Sequence, residues 1–135
     1  MKKRHAKVYV ISEEAFQKAM GNNLEGELEY SLAALDGVRA KCFSSADLEG
    51  VAEDDKGLDW EMNNALTETM MQTCDVVAVL GGYVSPNMKR EIKLASELGK
   101  EICVAEPIRK TVESMNVKVS ANLLANVCKR VLQKT

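Results

Sequence analysis

The stretch "DVVAVLGGYVSPNMKREIKLASELGKEICVA", residues 75–105, decides the fold. Asp75–Leu80 is a continuous run of mainly β-branched residues, the composition of a strand covered on both faces of a parallel sheet. Two glycines end it. After a short loop, Ser85 can cap a helix and Pro86 suits its first position. The helix extends over 86–98 and Gly99 stops it. Residues 101–105, "EICVA", form the next strand. A strand, a helix and a second strand within about thirty residues predict parallel pairing.

The same alternation runs outward in both directions. Ala6–Ile11, "AKVYVI", reads as a first strand. Residues 12–23 are a loop or a loop with a helical turn. Leu24–Leu35 carries apolar residues at 24, 28, 32 and 35, a helical spacing, and Gly37 ends it. Val38–Phe43 alternates like a strand. The polar, acidic residues 44–57 form a loop of about 14 residues, a length that is uncommon in compact domains and often functional. Leu58–Thr73 is helical, with Leu58, Met62, Leu66 and Met70 on one stripe. Residues 117–119 are a candidate short last strand, and Ala121–Leu132 is a closing helix with Leu124, Val127, Cys128 and Val131 inward. Alternating strands and helices imply one doubly wound α/β domain over residues 1–135, with a mostly parallel sheet of four to five strands. Ligands of such sheets sit beyond the carboxyl ends of the strands, which directs attention to loops 12–23, 44–57, 81–87 and 106–116.

One acid in the helix is out of place. At about 100° per residue, Glu91 falls about 300° from Met88, between Ala95 at about 340° and Leu98 at about 280°. Lys89, Arg90, Lys93, Ser96 and Glu97 occupy the opposite arc. A carboxylate inside an apolar stripe needs partners or a cleft. Glu91 is either a glutamate whose stem packs while its head reaches water or a structural partner, or it is a functional acid at the strand's carboxyl end. If it must ionise, a donor has to stand close, and Ser85, Tyr9 and Tyr83 are the candidates. The Gly81-Gly82 pair either lets backbone approach a ligand or makes a simple turn. The free N–H groups of residues 87 and 88, with the Ser85 hydroxyl, could hold an anion or a sugar hydroxyl.

Residues 74–104 resemble the core of the nucleoside 2-deoxyribosyltransferase-like superfamily, and most closely its small bacterial and phage members. The shared pattern places Gly82, Ser85, Met88, Glu91, Ile92, Ala95, Leu98 and Gly99. Residues 58–75 fit the preceding helix, and residues 8–10 and 25–37 fit the first strand and helix loosely. The resemblance implies a doubly wound, Rossmann- or flavodoxin-like fold and chemistry at an N-glycosidic bond, as a deoxyribosyltransferase or N-hydrolase. Glu91 would attack C1′ and hold the sugar covalently until water or a second base resolves it. Ser85 would contact the sugar or a 5′-phosphate. The candidate substrate-binding set is Ser12, Gly81, Gly82, Tyr83, Ser85, Asn87 and Met88, with Asp59 and Glu68 as supporting acids. The resemblance also implies a homodimer or larger homo-oligomer.

Three departures from the family pattern bear on activity. The aspartate of catalytic members falls at Thr67, with Glu68 beside it. The glycine before the methionine is Asn87. The loop after the first strand is Ser12-Glu13-Glu14-Ala15-Phe16, and acids there would repel a phosphate, favouring a nucleoside over a nucleotide. A non-catalytic binder or sensor of a nucleotide-like ligand, using the same pocket, is the alternative function. A phosphoribohydrolase reading of "LGGY" fails because "VSPNMKRE" lacks the Gly-Thr that should follow.

Composition agrees with a small-molecule protein. The net charge of -2 leaves no nucleic-acid footprint, and no apolar run reaches the length of a membrane span. The basic start leads into a short strand and not a signal peptide. Cysteines 42, 74, 103 and 128 are too far apart for a Cys-x-x-Cys site, and the one histidine cannot complete a mixed one. They read as buried thiols of a cytoplasmic protein. No cofactor or metal is expected.

Overall fold

The computed structural model describes residues 5–13, 21, 23–45 and 60–133, with the backbone alone for residues 60–64. The elements are β1 (Ala6–Ile11), α1 (Leu24–Asp36), β2 (Ala40–Phe43), α2 (Trp60–Thr73), β3 (Val76–Val79), α3 (Pro86–Glu97), β4 (Ile102–Val104), α4 (Glu106–Glu113) and α5 (Leu124–Gln133). The four strands form one all-parallel sheet in the order β2-β1-β3-β4. This is the doubly wound, Rossmann- or flavodoxin-like arrangement.

Strand alternation splits the core in two. Ala6, Val8 and Val10 of β1, with Val76 and Ala78 of β3, face α1 and α5 and meet Leu24, Leu32, Val127 and Cys128. Tyr9 and Ile11, with Val77, Val79 and Ile102, face the other way and meet Met71, Met88, Ile92, Ala95 and Ile108 from α2, α3 and α4. Both faces of β1 and β3 are therefore covered, which is why these strands carry almost no polar residues.

Several details differ from the sequence expectation. Residues 106–113 are a helix and not part of a loop: Pro107 stands in its first turn, and Ile108 and Val112, four apart, are its buried anchors. Its eight residues make only about two turns, too few for a clear apolar period. Residues 117–119 form no strand. One backbone bond, Ser120 N to Ile102 O at 2.8 Å, ties the segment beside β4, and the described sheet stops at four strands. On α2 the inward line is Thr67 and Met71, continued by Cys74 just past its end, one position round from the stripe through Leu66 and Met70, which are only half-buried. Leu35 is 82% exposed, so the inward stripe of α1 ends at Leu32. The four cysteines are buried; burial pushes the Cys42 thiol up, and those of Cys74, Cys103 and Cys128 to about 11. Buried thiols of that basicity make poor nucleophiles.

Because Ile92 carries α3 onto the sheet with no exposed surface, Ile92→Ala should cost about 2–5 kcal/mol in urea denaturation. Leu35→Ala, on the exposed side of α1, should stay within about 0.5 kcal/mol of the parent chain.

Candidate active site

The strand order places a topological switch between β1 and β3. The chain winds from β1 to β2 in one direction and from β3 to β4 in the other, so the loops leaving β1 and β3 part and open a crevice at the carboxyl ends. Two side-chain hydrogen bonds join β1 and its following loop to the segment after β3. The Tyr9 hydroxyl, from inside β1, donates to Glu91 Oε1 of α3 at 2.5 Å. The Tyr83 hydroxyl, from the β3–α3 loop, donates to Glu13 Oε2 at 3.1 Å.

Tyr9 has no exposed surface. A tyrosine can take such a place when its hydroxyl finds a partner, and Glu91 is that partner. Glu91 itself is half-buried, as the helical arithmetic predicted from its place beside Ala95. Burial raises its pKa above the ordinary carboxylate value, while the Tyr9 hydrogen bond and the charge of Arg90 pull it back. The site thus holds a carboxylate that is partly desolvated, oriented through one oxygen and tuned upward, properties suited to an acid, a base or a nucleophile.

Glu13 is 8% exposed and Tyr83 57% exposed, so the second bond runs from the crevice wall to its rim. The hydrogen bond to Glu13, together with that carboxylate's charge, holds the Tyr83 phenol above its usual value. Gly81 adopts φ 122°, a conformation closed to most side chains, and this shapes the turn that delivers Tyr83. Gly82 faces open space. Ser12 is half-buried at the end of β1.

The start of α3 is less open than the sequence suggested. Ser85 Oγ accepts the Met88 N–H at 3.2 Å, and the Ser85 N–H lies 3.5 Å from Met88 Sδ. The helix therefore caps itself, and the Met88 N–H is not available to an anion. The Met88 side chain is buried in the core beside Tyr9 and Ile92, whereas Asn87 is exposed. Thr67 is buried at 6% exposure on α2 and Glu68 is exposed. Asp59, with most of loops 12–23 and 44–57, lies outside the described residues.

A cleft of about 540 Å³ lies elsewhere, between the end of α3, the start of β4 and residues 118–122. Two of its charged groups, Lys100 and Glu101, are engaged within the fold, and Lys118 is exposed. Glu101 accepts from Ser120 Oγ at 2.6 Å and pairs with Arg130, and its pKa is lowered, burial being outweighed by these donors. Lys100 Nζ donates to the carbonyls of Gln72 and Cys74. This cleft lies at the amino end of β4, away from the switch, so the carboxyl-end site at Glu91 is the better candidate. Among the described residues no group of histidine, cysteine and acids could hold a metal ion, and no helix is long and apolar enough to cross a membrane.

Sequence reasoning named Tyr9 as one of three donors for Glu91. It missed the Tyr83–Glu13 bond, which no local pattern encodes because the residues are 70 apart.

Glu91 has a stability consequence with a definite sign. Its folded pKa exceeds the unfolded value, so the stabilisation from holding the proton is complete below the ordinary carboxylate pKa and is lost as pH rises through the folded value. Glu91→Gln, neutral throughout, should melt above the parent chain at about pH 7. The two melting temperatures should converge at about pH 4. A parent chain that melts higher at about pH 7 would contradict this.

No family model and no curated protein matches the chain. Among solved structures it is similar to a Clostridium botulinum CMP N-glycosidase, BcmB, with 14% sequence identity, 93% of each chain covered and a TM-score of 0.45.

Proposed function

We propose that this chain breaks the N-glycosidic bond of a nucleoside or nucleotide, by hydrolysis or by base exchange, with Glu91 as the nucleophile. The observation that carries the reading is the half-buried Glu91 carboxylate, held by the Tyr9 hydroxyl beside the switch crevice. The resemblance of residues 74–104 to deoxyribosyltransferase-like proteins supports the same assignment.

The chemistry follows from the geometry. Tyr9 holds Oε1 and leaves Oε2 to attack C1′ on the face opposite the base. The C1′–N bond breaks, its electron pair goes to the base, and the base takes up a proton. The sugar stays bonded to Glu91 Oε2. Water, or a nitrogen of a second base, then attacks C1′ and loses a proton, and the Glu91 carboxylate leaves unchanged. Both steps pass through an oxocarbenium-like transition state. Upward tuning of the pKa makes the carboxylate a stronger nucleophile once ionised. The hydroxyl of Tyr9 and the charge of Arg90 keep the ionised form accessible.

A second reading rests on Thr67. This buried residue stands where catalytic members of the resembled family carry an aspartate, and a threonine hydroxyl supplies no carboxylate to assist the departing base. In that reading the pocket binds a nucleotide-like ligand without turning it over.

Incubation with a panel of deoxynucleosides and their monophosphates, followed by chromatography for free base, separates the two readings. Base release that falls at least about 1000-fold in Glu91→Ala supports the nucleophile. A thermal shift with no base release from any compound favours the binder. If base is released, Tyr9→Phe should move the acid limb of the kcat/KM profile to higher pH. Loss of the hydroxyl removes an interaction that favours the ionised carboxylate, and burial is left less opposed.

A further inference from the structure

We infer that Glu29 closes the edge of the sheet at β2 and so keeps a second copy of this chain from adding its own β2 there. The described sheet ends at β2 on one side and at β4 on the other. An edge strand turns main-chain N–H and C=O groups outward, and these can pair with another chain. At β4 one such group, the Ile102 carbonyl, takes the Ser120 N–H of the same chain. At β2 a side chain does the corresponding work.

The register fixes which groups of β2 point outward. The Ala6 N–H donates to the Arg39 carbonyl, and Ala6 and Val8 of β1 lie opposite Ala40 and Cys42. In a parallel ladder alternate residues turn both main-chain groups to the same neighbour, so Lys41 faces β1 and Ala40 and Cys42 face out. Cys42 is the outward residue inside the strand. Its N–H donates to Glu29 Oε2 of α1 at 2.7 Å, a charge-assisted bond. Glu29 reaches it because it lies about 60° round α1 from the buried Leu32, on the flank of the inward stripe. It is half-buried, so its carboxylate is held against the fold. Ala40 and Cys42 pack into the α1 side of the core, which puts Lys41 on the other face, where it is exposed. A second β2 approaching antiparallel would meet a donor already taken, a carboxylate on one face and an ammonium on the other. About a twofold axis each copy brings the same groups, so like charges would also be brought together.

Native-state amide exchange by NMR, combined with sedimentation velocity, tests this. In the parent chain the Cys42 amide should exchange slowly although its strand is an edge. In dilute Glu29→Ala it should exchange at least about tenfold faster, because a bond to a charged acceptor is lost. The mean mass of that variant should rise more steeply than the parent's between about 10 and about 500 µM. Protection of the Cys42 amide should return as the mass rises. Glu29→Gln keeps an acceptor and should follow the parent. Glu29→Asp keeps the charge but is one methylene short of the edge, so it should follow Glu29→Ala and stands in for it should that variant not fold. A parent Cys42 amide that exchanges as fast as an open loop overturns the inference with no variant needed. So does a Glu29→Ala chain that keeps its Cys42 protection, one that loses it and associates no more than the parent, or one that associates while Cys42 stays unprotected.

Discussion

The hydrogen bond from Tyr9 to Glu91 settles two problems that neither residue could settle alone. β1 is an inner strand with helices on both faces, so a tyrosine there has no route to water. α3 carries a glutamate on its inward arc, where the helix must pack against the same strand. Each would leave a polar group at a cost of several kcal/mol if buried without the other. Joined, they lock α3 to the central strand and leave a carboxylate at the carboxyl end of the sheet. Core satisfaction and site construction are the same contact.

The parallel topology explains why the contact lies where a ligand could use it. Switching direction between β1 and β3 parts the two following loops, and α3 begins at the gap. Glu91, in the second turn of α3, keeps some exposure on the side of the opening, whereas Met88, Ile92 and Ala95 are sealed into the core. The Glu13–Tyr83 bond repeats the pattern one layer out, again joining the β1 side to the segment after β3. The inner pair is held by burial. The outer pair has one buried and one exposed member.

Much of this was legible in the sequence because it depended on local period. The β-branched run at 76–79 and the helix after Ser85-Pro86 lie where composition predicted. The place of Glu91 followed from counting at about 100° per residue. The failures share a physical cause, since each was decided by a neighbour distant in the chain. On α2 the inward line passes through Thr67 and Met71, a choice made by packing on the sheet, and the polar Thr67 hid it from an apolar count. α4 has two anchors in eight residues, too few to declare a period. Residues 117–119 alternate like a strand, but the described backbone bond that ties the segment to β4 comes from Ser120, just beyond them. The donor to Glu91 could be narrowed to three residues from sequence. Strand parity then puts Tyr9 on the α3 face of the sheet with Ile11, and Val8 and Val10 on the other.

Glu91 is under opposing demands in the proposed reaction, and its surroundings can be judged by how they balance. An attacking carboxylate must be ionised, and burial favours the neutral acid. Full exposure would remove that penalty but also lower the basicity that drives attack and admit water to the bonded sugar. Several strong donors would secure ionisation yet disperse the charge needed at C1′. The arrangement lies between these limits. Partial burial raises the pKa, one neutral hydroxyl on Oε1 opposes it without adding a full charge, and Arg90 contributes through its field from the adjoining position. A lysine in place of Tyr9 would hold the carboxylate ionised over a wider pH range but would bind its charge more strongly. A phenylalanine would leave burial less opposed. Tyrosine at this inner-strand position fills the core and, in the proposed reaction, leaves Glu91 the basicity to attack.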